Sequence, residues 1–403
     1  MNRPVCWMLF AVLMLHAGVA AGAPPVLSDD EVRDGFVGVF NGKNVDGWIP
    51  QAGRPGQWTV EDGKLVCTGG RGWLRTAWPF DDFVFRCEWR IMEPGGNGGL
   101  YFRATGGAGQ TQPTRMHQVQ IHDAPDCGSL LQGGLRVVPR RQVRKPVGQW
   151  NTYELRCEGP RVAVIFNGEP VSQTNESTLS RGHLGLEAEG ARIEFRNLRI
   201  KELGFARRFN GQDLAGWDRV RGNEQTWDVR DGLLVCNGGV GSWLSTQDEL
   251  SDFTLRLQYN LPADGNSGVY LRAPREGHIS AIAMEIQLLD DEHPRYAKLK
   301  PYQYTGSIYG VVPGERGHTK PPGEWNRMQI KCEGPWVSVW TNGALVAHGN
   351  MDELEPLRNR PRKGYVGLQN HHSKAMFRDI LIKTRETPLA SAPGSRRAGA
   401  TAR

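Results

Sequence analysis

The chain has 403 residues, a formal net charge of +6, 51 glycines and 13 tryptophans. Its length suits two domains of ordinary size better than one. Much of the positive excess lies at the ends, in Arg3 and in Arg385, Arg396, Arg397 and Arg403 against Glu386. No clustered basic face therefore points to a nucleic-acid partner.

In chain order, Arg3 precedes the apolar run "WMLFAVLMLHAGVA" and the small residues "AGA". The pattern predicts a secretory signal over residues 1–23, and so a secreted or periplasmic protein with no membrane anchor after cleavage. Export permits disulfides among the six cysteines beyond Cys6. Cys67 and Cys157 recur as Cys236 and Cys332 in matching phrases, and bridges or buried free thiols are both open at this stage. No Cys/His spacing suggests zinc.

From residue 35 onward the chain repeats itself. "GFVGVFNGKNVDGW" returns as "GFARRFNGQDLAGW", "QWTVEDGKLVCTGG" as "TWDVRDGLLVCNGG", and "GGNGGLYFRA" as "DGNSGVYLRA". "GQWNTYELRCEGPRVAVIFNG" returns as "GEWNRMQIKCEGPWVSVWTNG". Two copies, 35–202 and 204–384, follow one another with little more than "KELG" between, too few for a solenoid. So short a connection favours packing of the copies against each other. Residues 385–403 read as a disordered tail.

Within each copy the hydrophobic period is two. Phe83, Phe85, Cys87 and Trp89 share one face of "FVFRCEWR", and Phe253, Leu255, Leu257 and Tyr259 repeat the arrangement. Such alternation marks half-buried antiparallel strands, and "FNG" and "TNG" mark tight turns after them. "NMDELEPLRNR" is at most a short helix. The expected class is all-β, as tandem jelly-roll or β-sandwich domains.

Alternation also assigns faces. With Val269, Leu271, Ile286, Leu288, Val339, Val366 and Leu368 directed to the core, Tyr270, Arg272, Glu285, Gln287, Trp340 and Gln369 point the other way, with His371 in phase beyond. If those four strands share a sheet, they form a polar, aromatic-floored surface suited to sugars. The plainer reading of each residue is a solvated strand face, and of Trp340 the cover of a sheet edge.

The motifs "FNGxxxxGW", "GNSGVYLR", "EIQLLD", "GSIYG", "GEWN", "VWTNG" and "GLQNH…FRDI" together resemble the 3-keto-disaccharide hydrolase family. The resemblance spans both copies and implies a concanavalin-like jelly roll acting on a glycoside oxidised at C3, by hydrolysis or by elimination and rehydration. The second copy carries Asn266, Ser267, Arg272, Glu285, Gln287, Asp290, Tyr309, Trp340, Gln369 and His371 at the matching positions. The first keeps Asn97, Arg103, Gln120 and Asp123 but has Gly98, Gln118, Leu131, Ile165 and Glu187 where the second has Ser267, Glu285, Tyr309, Trp340 and Gln369. The second copy is thus the expected catalyst.

On this reading Glu285 or His371 serves as base, and Arg272 with Tyr309 or a divalent cation stabilises the enolate oxygen. Asn266, Tyr270, Gln287, Trp340 and Gln369 contact the sugar. A metal held by Glu285 and Asp290 is an open alternative, although no spacing motif demands one. The rival class is a non-catalytic, lectin-like tandem module. An ordinary endoglycosidase ranks last, because Glu285 and Asp290 have opposite parity.

Overall fold

The computed structural model of the protein describes residues 27–53, 57–277 and 279–384. The expected signal (1–23) and the expected tail (385–403) lie outside the described residues. Each copy is a sandwich of two antiparallel sheets. In the first, an eight-stranded sheet centred on Phe83–Ile91 and Arg192–Glu202 faces a seven-stranded sheet centred on Asn97–Thr105 and His183–Glu189. In the second, an eight-stranded sheet faces one of five strands. The five run in the order Trp217–Val220, Ser242–Thr246, Tyr365–Asn370, Asn266–Ala273, Met284–Leu289. Apolar side chains from the facing sheets fill a separate core in each copy.

The strand Phe83–Ile91 shows strict alternation, buried residues at every odd position and half-buried ones between. Its twin Phe253–Asn260 does not: Thr254 and Gln258 are buried too. The reason is tertiary, because the outward face of this sheet is covered by the first copy. Lys331 Nζ meets Glu202 at 3.0 Å in a buried ion pair, and Arg181 meets Glu333 at 2.7 Å. Trp340 packs edge-on to Trp78, with ring centroids 5.4 Å apart.

Helix is scarce. A six-residue helix, Asp29–Asp34, precedes the first copy, capped by Ser28 and Glu31 in a reciprocal box that satisfies two otherwise orphaned amides. The "NMDELEPLRNR" segment holds a single 3-10 turn, Glu355–Leu357. Cys67, Cys87, Cys127, Cys157, Cys236 and Cys332 are all buried and none is disulfide-bonded, so the recurring pairs are not bridges. Among the described residues no helix is long and apolar enough to cross a membrane.

Candidate functional site

The five-stranded sheet of the second copy floors a cleft of about 620 Å³. Three of the four strands singled out by alternation do share this sheet. Asn266–Ala273 lies between Met284–Leu289 and Tyr365–Asn370, with Tyr270 opposite Glu285 on one side and opposite Gly367 on the other. Tyr270, Glu285, Gln287, Gln369 and His371 all line the cleft, as does Asn266. Gly268 makes their convergence feasible: a Cβ there would stand 2.6 Å from Glu285 Oε1. The carboxyl group lies over the central strand because that strand has no side chain at this point.

The floor is internally hydrogen-bonded. Gln287 Nε2 donates to Asn266 Oδ1 at 2.9 Å, and Gln369 Nε2 donates to the Tyr270 hydroxyl at 2.8 Å. The Tyr270 oxygen thus keeps its own proton for donation. Trp243 stands edge-on beneath Tyr270, centroids 5.7 Å apart. One wall comes from the long segment after Leu289, whose 3-10 turns Pro294–Tyr296 and Pro301–Gln303 carry Tyr296 and Gln303 to the cleft. Tyr309 follows, its amide bonded to the Glu285 carbonyl at 2.9 Å and its hydroxyl accepting from Gln303 Nε2 at 2.8 Å.

Burial dominates the electrostatics. Glu285 is 8% exposed, and desolvation pushes its carboxyl up to about 7, partly offset by a hydrogen bond from Gln369. Burial also holds the His371 imidazole below its ordinary value, aided by repulsion from His372 and Arg295. A base near neutrality and a neutral imidazole therefore share one concavity.

Three assigned residues lie elsewhere. Arg272 is fully buried at the end of the sandwich, donating to the carbonyls of Ser251 at 2.6 Å and Gly334 at 3.0 Å and pairing with Asp252 at 3.3 Å. Parity misplaces it because the register shifts between Tyr270 and Ala273 and Arg272 adopts φ of 51°. A bulge ends simple alternation. Arg103 does the same work in the first copy, at φ of 49°.

Trp340 belongs to the other sheet. Its indole donates to the Gly38 carbonyl at 2.7 Å, inside the contact between copies. Asp290 accepts from the Asp264 amide at 3.0 Å and lines a different cavity from Glu285. Among the described residues no three His, Cys, Asp or Glu side chains are grouped to hold a metal ion, so the donor set does not fit a Glu285–Asp290 cation.

Residues that alternation did not single out complete the cleft: Trp243, Tyr296, Gln303 and Arg221. Trp243 could have been found from the repeat, since "GSWLST" matches "RGWLRT" and places Trp73 at the same point. The others come from loops and carry no periodic signal.

The first copy arranges the same positions differently. Gln118 stands opposite Tyr101, as Glu285 stands opposite Tyr270, and Glu187 stands opposite Gly99. Leu131 pairs with Gln118, where the second copy sets Tyr309 against Glu285. Gln118 Nε2 donates to Glu187 at 2.9 Å, and the Tyr101 hydroxyl also bonds Glu187. The chain continues through Gln120 at 2.7 Å to Asn97 at 2.9 Å.

Comparison with known proteins places both copies. The model of the 3-keto-alpha-glucoside-1,2-lyase-like domain matches residues 35–201 and again 204–383. A 3-keto-disaccharide hydrolase of Bacteroides thetaiotaomicron is 25% identical over 280 residues, spanning 56% of this chain and 96% of that relative. Among solved structures, a candidate glycosyl hydrolase of Parabacteroides distasonis is 29% identical with a TM-score of 0.41, covering 45% of this chain and 98% of that one. Another from the same organism is 26% identical with a TM-score of 0.41, covering 45% and 93%. With nearly all of its described length covered by two successive matches, the chain belongs to the 3-keto-alpha-glucoside-1,2-lyase-like family, as a tandem pair.

Proposed function

We propose that this protein cleaves 3-keto-glycosides, and that the cleft of the second copy is where it does so. The observation that carries the reading is Glu285, a carboxyl group at the cleft floor that desolvation pushes up to about 7. The family match and the relative named 3-keto-disaccharide hydrolase support the substrate class.

A ketone at C3 acidifies the hydrogen at C2, because the resulting carbanion delocalises as an enolate. Glu285 takes that proton. The electron pair moves onto the C3 oxygen, then returns to form the C1–C2 double bond as the C1–O bond breaks and the departing oxygen gains a proton. Water adding to the enone at C1, with a proton returned to C2, completes a net hydrolysis; without that addition the reaction ends as a lyase. A base matched to neutral pH performs the first step at least cost. Tyr270 and Tyr309 each accept from a glutamine and so keep a hydroxyl proton to donate, one deep and one at the mouth. In this scheme Tyr270 steadies the enolate oxygen and Tyr309 serves the departing one, while Gln287 and Asn266 hold sugar hydroxyls. Arg221 supplies the cleft's positive charge in place of Arg272.

The test is turnover of a 3-keto-α-glucoside by the full chain, alongside the unoxidised glycoside, comparing wild type with Glu285→Gln and Gln118→Glu. Loss of turnover in Glu285→Gln alone is the expected result. Unchanged turnover in that variant, or binding without turnover in the wild type, overturns the assignment.

A further inference from the structure

The outward face of the second copy's eight-stranded sheet holds another polar constellation, on the opposite sheet from the cleft. Arg256 and Gln258 stand opposite Gln329 and Arg327 on the neighbouring strand. Arg256 and Arg327 are therefore diagonal neighbours on one face, their Cβ atoms roughly 7 Å apart. Both line a cavity of about 140 Å³ between the copies, closed on its other side by residues 32–37.

Neither guanidinium has a carboxylate of its own. Arg256 Nε donates to Gln329 Oε1 at 2.6 Å, while its Nη2 is buried without a hydrogen-bond partner. The group lies over the Phe205 ring at 3.9 Å and so close to Gly35 that a Cβ there would stand 2.8 Å from Nη1. The Arg327 side chain makes no ion pair among the described residues. Arg33, Asp34 and Asp379 also line the cavity, but Asp34 pairs with Lys201 and Asp379 with Gln258 and Arg207, while Glu202 pairs with Lys331 and acts on Arg256 only through its field.

The first copy supplies the internal comparison. There Arg86 occupies the place of Arg256, opposite Glu154, and its Nε donates to that carboxylate at 2.6 Å, with Glu31 at 3.1 Å. The second copy has Gln329 where the first has Glu154, and Arg327 where the first has Thr152. One negative charge is lost and one positive charge gained at the same spot. Two partly buried cations side by side repel one another unless an anion joins them; burial lowers the affinity of both guanidinium groups for their protons.

We propose that this inter-copy cavity is an anion site, in which Arg256 and Arg327 together bind one small oxyanion group: carboxylate, phosphate or sulfate. Paired guanidinium forks match such groups in geometry and charge. At about 140 Å³ the space admits a small head group, in contrast to the 620 Å³ cleft on the other sheet. Because residues 32–37 close the cavity, a bound anion ties the entry to the first copy onto the second.

The test uses the full chain and follows thermal unfolding in phosphate, sulfate, acetate or glucuronate, each at an ionic strength matched with sodium chloride. At least one anion is expected to raise Tm by about 2–4 °C in a saturable way. Arg327→Gln should weaken that response at least tenfold in the concentration required (about the worth of a charge-assisted pair). Gln329→Glu, which restores the first copy's internal carboxylate, should raise Tm in chloride alone and abolish the response. Phosphate or sulfate acting alone identifies a tetrahedral anion, acetate and glucuronate together a carboxylate, and glucuronate alone a sugar acid. No shift with any of the four, or wild-type responses in both variants, overturns the proposal.

Discussion

The two copies hold the same four-part floor, tyrosine, glycine, carboxylate and amide, with the last two exchanged across the central strand. In the first, Glu187 receives hydrogen bonds from Tyr101 and Gln118, and Gln112 approaches at 3.4 Å. In the second, Glu285 has a long loop arching above it and a cleft in front. Burial raises both carboxyl groups above the ordinary range. What differs is how much of each carboxylate is already occupied. A carboxylate that already accepts from several protein donors has less capacity left for a substrate proton; one with a single amide neighbour retains more. The duplication thus separates a packed polar cluster from one open to a ligand, within one chain.

The sharpest way to break the comparison is to remove each carboxylate in turn. Glu285→Gln should lower kcat/KM on a 3-keto-glycoside by about 10³-fold, the usual worth of a positioned base. Glu187→Gln should leave it within about twofold, and equal losses would show that both copies work. Next in size is the arginine pair at the bulges. Arg272→Ala and Arg103→Ala should each cost about 3–5 kcal/mol in denaturant unfolding, because each removes a fully buried guanidinium that pairs with an aspartate (half-buried Asp252, buried Asp82) and satisfies buried carbonyls. A catalytic loss without a stability loss in Arg272→Ala would return that residue to the site.

Titration refines the comparison further. Glu285 has a folded-state value near 7 against an ordinary 4.5. The folded protein holds that proton longer than the unfolded chain, so stability from this group is intact below about 4.5 and declines until about 7. The decline is about 3 kcal/mol by linkage. Wild type should lose that much relative to Glu285→Gln between pH 4 and pH 8 in chemical unfolding. Turnover should rise over the same range, with an inflection near 7. A flat difference between the two proteins would mean that the carboxyl is solvated. The smallest effect is expected at the mouth: Tyr309→Phe should reduce kcat/KM about three- to tenfold, one hydrogen bond's worth, while Leu131→Tyr in the first copy should change nothing.

Most of the floor was legible because alternation is strict where a strand keeps one register with its neighbour. Glu285, Gln287, Tyr270 and Gln369 all point as their parity requires, and His371 follows in phase. Arg272 failed at the one place where the register slips. Trp340 failed for a different reason: its parity was right, but its strand lies in the other sheet, and the face it shares is the one buried by the first copy.

The amino-acid sequence by itself determined the duplication, the all-β class and the identity of the chemical groups, since each is written in local periodicity or in plain repetition. The tertiary structure alone decided which strands became neighbours, where a bulge turned Arg272 inward, and how the segment after Leu289 enclosed Glu285. Those outcomes depend on pairings between residues far apart in the chain. Desolvation, which sets the proton affinity of Glu285, exists only once they have formed.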